Sequence, residues 1–458
     1  MALTAEQVQS TAKELHKRHE ADRGKLDDVR RYATGRQRLP DVIPAASPVE
    51  VKEMARIARV NVIDIVVESL TQSLFVEGFR GQREADNSSV WDIWQANRLD
   101  ARQAGIHRAA LAYGTAYAVV LPGDPVPVIR GVSPRKLIAE YGDDPDWPVH
   151  ALERRSKTVY RLYDDAAVYV LRRTDDAFEL TDQLEHRSEV TPIVRYLDRE
   201  DLDDDDEPSD DSRVGPGRRS RLVAGQVAPL MSIQDQIDLI TFNLLIAQHY
   251  AAFRQRWAIG WVPDSEDQKA KVGAARMMTF DEDPERMKLG EFEATNLEGY
   301  IKSREASLRH AATLSQTPAH ELIGELINLS AEALAAAEAS RDRKVDDRQT
   351  VLGEAHEQTL RLAAALASIE VPDGAQVIWR DTSARSFAAI VDGLGKLATM
   401  LGVPARELWE RIPGVSQQDV ERWRASAGEG DAFANLQNLL ERQAGVAAGA
   451  AGGNGAGL

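Results

Sequence analysis

Cysteine is missing from the 458 residues. Disulfides, thiolate nucleophiles and cysteine-based zinc sites are therefore excluded, and the absence fits a reducing compartment. No run of 18 apolar residues occurs, so no membrane-spanning helix is expected. The opening Met1-Ala-Leu-Thr-Ala-Glu6 lacks the basic-then-apolar layout of a secretion signal, and none is expected. Positive charge is in deficit: 56 Lys and Arg stand against 73 Asp and Glu, a net charge of −17. A protein that grips nucleic acid gains affinity by displacing phosphate counterions with cations. This chain as a whole repels phosphate, so any contact with DNA must be local or weak.

The motifs of common chemistries are also missing. Gly393-Leu-Gly395-Lys396 has neither the spacing nor the Ser/Thr of a P-loop. His320-Glu321 and His356-Glu357 each lack the second histidine of a metalloprotease helix. No Gly-x-Ser-x-Gly elbow is found, and the nine histidines are scattered. The acidic run Asp203-Asp204-Asp205-Asp206-Glu207 lacks the ligand spacing and glycine of an EF-hand loop; as a block of like charge it is expected to be a mobile loop. Arg218-Arg219-Ser220-Arg221 follows Gly215-Pro216-Gly217. These arginines could take phosphate or neutralise the acidic block beside them. No catalytic residue, metal site or cofactor is expected.

What is present is the size and composition of a folded protein of two or three domains, 43% hydrophobic and 28% charged. Residues 1–36 read as a helix starting at Thr4. A second helix is expected from Pro48 to Val76, apolar on nearly all sides in its second half and ended by Gly78-Phe79-Arg80. Helical segments around Trp91–Trp94 and Arg102–Tyr113 lead, across Gly114, into a strand at Tyr117–Leu121. Further short strands are expected at Val126–Ile129, Leu152–Arg155, Val159–Tyr163, Ala167–Leu171, Glu179–Leu180 and Ile193–Tyr196, with a short helix start at Ser133–Leu137. A helical part followed by antiparallel strands makes an α+β domain.

The chain turns around Pro229–Ile369. Leu230, Ile233, Ile237, Ile240, Leu244, Ala247 and Ala251 form a heptad seam, so one face of this helix is expected to pack along its whole length. Trp257-Ala-Ile-Gly-Trp261-Val reads as a strand. Its tryptophans suit core or interface packing, with base stacking the other use. A second helix runs from Leu297 to Leu314, and Pro318, Gly324 and Asn328 mark a loop. From an N-cap at Ser330 a helix of about 55 Å extends to Ala367. Its middle, Arg341 to Arg348, is almost wholly charged and is expected to be a solvated face or a subunit interface of salt bridges. Ala375–Trp379 reads as a strand returning to the β domain. Helices at Ser386–Leu401, from Val403 and from Ser416-Gln-Gln-Asp419 form a small C-terminal domain, and an Ala/Gly tail follows.

This order of elements resembles the portal proteins of tailed bacteriophages, in the siphovirus-type family common among phages of actinobacteria. The resemblance covers about residues 27–425. It rests on Asn61-Val-Ile-Asp64, Phe75-Val-Glu-Gly78-Phe79-Arg80, Ala112-Tyr113-Gly114-Thr-Ala-Tyr117 and Ser133-Pro134. It continues in Thr191-Pro192-Ile-Val, Gly217-Arg218-Arg-Ser220 leading to Pro229-Leu230, and Asn328-Leu-Ser330-Ala-Glu-Ala333-Leu334. The acidic block at 201–211 is longer than the pattern has.

The resemblance implies a mainly helical α+β ring subunit, usually one of twelve. It implies a wing at 1–228, stem helices at 229–255 and 296–315, a clip at 256–295 and a tunnel loop at 316–329. The long helix and return to the wing would fill 330–382, a helical crown 383–430, and the C-terminal segment 431–458. It implies a non-enzymatic conduit for double-stranded DNA at one capsid vertex in packaging and ejection. Terminase large subunit, head–tail adaptor proteins, major capsid protein and scaffold would be its partners, with assembly in the host cytoplasm. Gln316, Thr317, His320 and Asn328 would be loop contacts to DNA. Lys302, Arg304 and Arg309 would be tunnel cations or intersubunit salt bridges. Ile233, Ile237, Ile240, Leu244, Trp257 and Trp261 would lie at the subunit interface. The rival reading is a non-portal oligomeric scaffold or adaptor of a virion, with an NTPase or nuclease third.

Overall fold

The computed structural model describes residues 2–38, 47–81, 84–175, 177–200, 225–252, 256–259, 278–280, 288–291, 296–324, 331–371, 374–380, 387–409, 412, 415, 419–420 and 422–427. The acidic block, the arginines after it, Asn328, Ser330, Trp261, Ser416 and the Ala/Gly tail lie outside these residues. The chain divides into two compact units, residues 1–75 with 81–376, and 76–80 with 377–458.

The larger unit opens with α1 (Ala5–Ala33), set by a full capping box: Gln7 N–H bonds the Thr4 hydroxyl and Thr4 N–H bonds the Gln7 side chain. The single helix expected from Pro48 to Val76 is in fact two, α2 (Val49–Ile57) and α3 (Val62–Ser73). The break has a physical cause. Asn61 caps α3 through Asp64 N–H, while the Val60 and Val62 N–H groups donate to Asp238 and Gln234 instead of to a helix ladder. Within the apolar second half, Val62, Ile63, Val66, Val67, Leu70 and Leu74 are buried as expected, whereas Ile57 and Ile65 are exposed.

Helices α4 (Glu84–Ala96) and α5 (Leu99–Tyr113) precede the strands. Gly114, at φ 83, ends α5 in the left-handed region where a side chain is strained. The strands form two antiparallel sheets. One has the order β3-β2-β9 (Val128–Val132, Thr115–Leu121, Ile193–Leu197). The other runs β4 (Leu137–Tyr141), β5 (Pro148–Arg154), β6 (Val159–Tyr163), β7 (Ala167–Thr174) and β8 (Ala177–Glu185) in sequence order. The helix start expected at Ser133–Leu137 is a turn feeding β4. Lys136 and Leu137 N–H both bond Ser133 O, and Leu137 then pairs with Glu153. Sheet pairing of the apolar Leu137-Ile138-Ala139 run overrides the local preference.

The period-2 alternation of side chains makes these layers. Val8, Ala12 and Leu15 of α1 cover one face of the larger sheet, against Ile138, Leu152, Tyr160, Leu162, Tyr169 and Phe178. Its other face, with Leu137, Ala151, Tyr163 and Val168, packs on Tyr117, Val119 and Ile193 of the smaller sheet. Behind that sheet lie α5 and the long helix α9 (Ala331–Leu366). Gly225 lets the chain pass the end of α5. An added Cβ there would sit 2.6 Å from the Leu111 and Ala112 carbonyl oxygens, backbone atoms that cannot move aside.

A polar file runs through the layer between the smaller sheet and the helices. His107 Nδ1 lies 3.1 Å from Leu74 O, and its Nε2 lies 2.7 Å from His356 Nε2. His356 Nδ1 lies 3.1 Å from the Tyr196 hydroxyl, which in turn meets Thr359 at 2.8 Å. Both imidazoles are buried, and the Nε2–Nε2 contact takes one proton between the rings, so at least one of the two must be neutral.

In the smaller unit β1 (Val76–Arg80) pairs with β13 (Gln376–Trp379). The strand at Ala375–Trp379 therefore does not rejoin the β domain. Its partner is the stretch read as the end of a helix, Gly78-Phe79-Arg80, and Arg380 crosses to Glu77 at 3.0 Å. Helix α10 (Phe387–Met400), the single turn α11 (Ala405–Leu408) and an edge-to-face Trp409–Trp423 pair follow.

Burial pushes His107 down to about 4, and pushes His356 well below its ordinary value with help from the neighbouring His107. The unfolded chain takes up protons near pH 6.5 while the folded pair does not. Stability should therefore fall as pH drops from about 6.5 to about 4, by about 1.4 kcal/mol per pH unit for each group. Thermal midpoints measured across that range should show the decline, and His107→Gln should make it shallower.

Candidate functional site: an exposed helix and its polar supports

Helix α6 (Met231–Ala252) follows a single 3-10 turn at Ala228–Leu230 that holds Pro229. After it come three short strands, with β10 (Arg256–Ile259) between β11 (Met278–Phe280) and β12 (Lys288–Glu291). Helix α7 (Glu298–Ser315) then packs along α6. It begins where Glu298 N–H bonds the Asn296 side chain. It ends at Gln316, whose φ of 56 turns the chain and whose N–H returns to Ala312 and Thr313 O. Two residues further, Pro318 starts the five-residue α8 (Ala319–Ile323), closed by Gly324 at φ 77. The 316–329 stretch expected to be loop thus contains a short helix.

The sides of α7 differ sharply. Ser307, Leu308, Ala311, Ala312 and Ser315 are buried. Lys302, Ala306, Arg309 and Thr313, at intervals of three and four, form an exposed stripe. Lys302 pairs with Glu298 at 2.6 Å and Arg309 with Glu305 at 3.4 Å, each one turn back on the same helix. Arg304 is not part of this stripe. It falls on the opposite side at helical spacing, and its Nε is enclosed without a hydrogen-bond partner among the described residues. Gln316 is exposed, His320 is half-buried, and Thr317 is buried with its hydroxyl 3.0 Å from that of Ser315.

The heptad seam of α6 is covered unevenly. Ile237 is fully buried, whereas Ile233, Ile240 and Leu244 are half-buried. Leu230 is buried as well, and Ala247 and Ala251 are half-buried, so no residue of the seam is exposed. The main apolar anchor lies off the seam: Phe242, with Leu239, Leu245 and Ile246 around it, packs on Met54, Ala55 and Ala58. Between these faces sits a buried polar cluster that periodicity did not show. The Asp238 carboxylate accepts Val60 N–H at 3.0 Å, Gln234 at 2.8 Å and Gln37 at 2.8 Å. Burial pushes the Asp238 carboxyl above its ordinary range. Next to it Asp235 takes the Tyr32 hydroxyl at 2.8 Å. The signal was the placement of Gln234, Asp235 and Asp238 within the apolar pattern. Trp257 stands in β10 opposite Met278 and Gly290.

The far supports come from α9. The charged middle of this helix is only partly solvated. Asp342, Arg343, Asp346 and Asp347 are exposed, but Lys344 and Arg348 are buried. Arg348 Nε donates to Asp198 at 2.9 Å and the guanidinium also pairs with Asp347. Lys344 Nζ donates to Ser315 O at 2.7 Å and to Gln226 Oε1 at 2.5 Å, and Gln226 in turn donates to Asp198 at 2.5 Å. Since Lys344 reaches both Gln226, just ahead of the turn that leads into α6, and Ser315, the last residue of α7, those two helices run antiparallel. Burial pushes Lys344 down to about 8 and pushes Asp198 up despite the Arg348 guanidinium beside it. Arg341 donates to Glu321 of α8 at 2.6 Å and to Ser73 at 3.3 Å.

These contacts join elements to one another, and among the described residues no three His, Asp or Glu are grouped to hold a metal. Residues 12–431 match the family described as "Phage portal protein, SPP1 Gp6-like", and the chain belongs to that family, a structural rather than an enzymatic one. It is 26% identical over 413 residues to the portal protein of Mycobacterium phage D29, covering 84% of this chain and 82% of that one. It is 27% identical over 426 residues to the portal protein of Mycobacterium phage L5, with the same coverage. Among solved structures it is similar to a chain of the neck of a native gene transfer agent particle computed with C12 symmetry. That match has 12% identity and a TM-score of 0.46, covering 81% of this chain and 93% of that one. A chain from the virion of the native gene transfer agent particle matches with 14% identity and a TM-score of 0.44, covering 84% and 100%.

Removing Arg348 would leave Asp198, whose side chain is 1% exposed, without its guanidinium partner. Arg348→Met should cost about 3 kcal/mol in urea unfolding, and Asp198→Asn combined with it should recover part of the loss.

Proposed function

We propose that copies of this chain, twelve by family resemblance, form a ring at one capsid vertex, through which double-stranded DNA enters during packaging and leaves on ejection. In this reading residues 1–228 form the wing, and 229–255 with 296–315 form the stem. The clip is 256–295, the tunnel loop 316–329, and the crown 383–430. The observation that carries it is the exposed Lys302–Arg309 stripe of α7, each cation matched by a carboxylate one turn away. Exposed pairs of this kind are worth only about 0.3–0.5 kcal/mol. A passing phosphate can borrow the cation and release it again. With the net charge of −17, the wall guides the duplex without the counterion-release affinity that would hold it. Gln316, His320 and Asn328 extend the same contact below the stem, and Thr317 shapes the loop through Ser315. Arg304, on the inward side of α7 with its Nε enclosed, is set apart from the stripe that would meet DNA.

The reading assigns this chain no catalytic step. Packaging would be driven by a docked terminase large subunit. Head–tail adaptor proteins would bind after filling, and the scaffold and major capsid protein would surround the ring during assembly in the host cytoplasm. The half-buried Ile233, Ile240 and Leu244 face and the tryptophans of the clip supply apolar surface for contacts between subunits.

Two measurements test this. Negative-stain images of the purified protein should show rings with an open centre; a monomer at every concentration, or an oligomer with no hole, would overturn the proposal in favour of an adaptor or scaffold. The double change Lys302→Glu and Arg309→Glu should leave ring formation intact and reduce packaged DNA per particle several-fold. Unchanged packaging would remove the stripe from the conduit.

A further inference from the structure

Residues 316–324 cannot hold their own shape. Helix α8 has five residues, far short of the length at which a helix persists alone, and the chain reverses at both Gln316 and Gly324. Two side chains of α9 fix the segment from outside. Lys344 Nζ donates at 2.7 Å to the Ser315 carbonyl, one of the last carbonyls of α7 that the helix itself leaves without an intrahelical N–H. Three residues earlier on the same face, Arg341 Nη1 donates at 2.6 Å to Glu321 Oε1. The other oxygen of that carboxylate takes the Ser69 hydroxyl at 2.7 Å. One end of the segment is thus tied at its backbone and its middle through a carboxylate, both to one rigid helix. Four residues beyond Lys344, Arg348 anchors that helix to Asp198 at the end of β9 (2.9 Å).

We propose that Lys344 and Arg341 are positioning residues that strap the 316–324 segment to the long helix. A load on the segment is then borne by α9 and the sheet behind it rather than by the segment's own backbone. The proposal deepens the DNA-facing role given to this segment above and rests on that reading for its functional meaning.

The test is amide hydrogen exchange on the full-length assembled protein, comparing the native chain with Lys344→Met, Arg341→Met and Lys344→Arg. Loss of a charged donor should raise exchange at Gln316, Thr317, Glu321 and Gly324 about tenfold. The five-stranded sheet should exchange as before, and Lys344→Arg should restore most of the protection. Lys344→Met also leaves the Ser315 and Gln226 oxygens without their donor, so the thermal midpoint should fall by a few degrees, while the rise in exchange stays confined to the segment, a combination that general destabilisation does not produce. Native exchange in both methionine variants, or an equal rise across sheet and segment, would overturn the strap. If Lys344→Met does not fold, Arg341→Met, with a side chain 21% exposed, carries the same test. Particles built with a loosened segment should package less DNA. A loosened segment with unchanged packaging would leave the strap standing and remove the DNA-facing reading of 316–324.

Discussion

A row of cations on one face of the long helix ties it to three other parts of the larger unit. Arg341, Lys344 and Arg348 stand three and four residues apart, and each reaches a different place: α8, the end of α7 with Gln226 ahead of α6, and the end of β9. An apolar stripe could supply comparable burial, but it would tolerate sliding. Hydrogen bonds from a buried ammonium and guanidinium to fixed oxygens do not, because a shift of an ångström or two leaves a desolvated charge unpaired. The helix is therefore indexed against three partners at once. What such an arrangement gives up in stability it returns as a defined position for the exposed α7 and the segment after it.

The second polar cluster works in the same way from the other side. Asp238 accepts three hydrogen bonds, two from amide side chains and one from the backbone break between α2 and α3. Together with Phe242 it fixes where α6 begins its course and how it is rotated. Helices α6 and α7 are thus pinned at their base by Asp238, Lys344 and Gln226. The exposed Lys302–Arg309 stripe lies beyond these anchors, where each cation makes only a weak local pair. Strong, desolvated contacts at the base and weak, solvated ones along the wall suit a surface that must stay in place while something moves past it.

Much of this was legible in the chain. Thr4 with Gln7 marks the start of α1, Gly114 the end of α5, and the 36-residue run without proline the long helix. The misreadings share a cause. The helix from Pro48 was split because Gln234 and Asp238, some 170 residues away, take its backbone donors at Val60 and Val62. The Ser133–Leu137 turn became the lead into a strand because Glu153 was waiting to pair. The Gly78-Phe79-Arg80 stretch became a strand because Gln376–Trp379 lies beside it. In each case local propensity, worth tenths of a kcal/mol per residue, was overruled by a partner distant in sequence.

The sequence by itself determined the periodicity, and with it the kind and order of the elements. It also set the negative balance of charge and the motifs that identify the family, since all of these are carried by neighbours along the chain. Only the tertiary structure decided which charges are spent inside the subunit and which remain outside. From Arg341 to Arg348 every residue but Val345 looks alike on a linear chain, as a charge on a long helix. Two of them, Lys344 and Arg348, are buried and four are exposed. The physical reason is that desolvation of a charge depends on what folds over it, and for Lys344 that is Gln226 and Ser315, which no spacing along the helix could reveal.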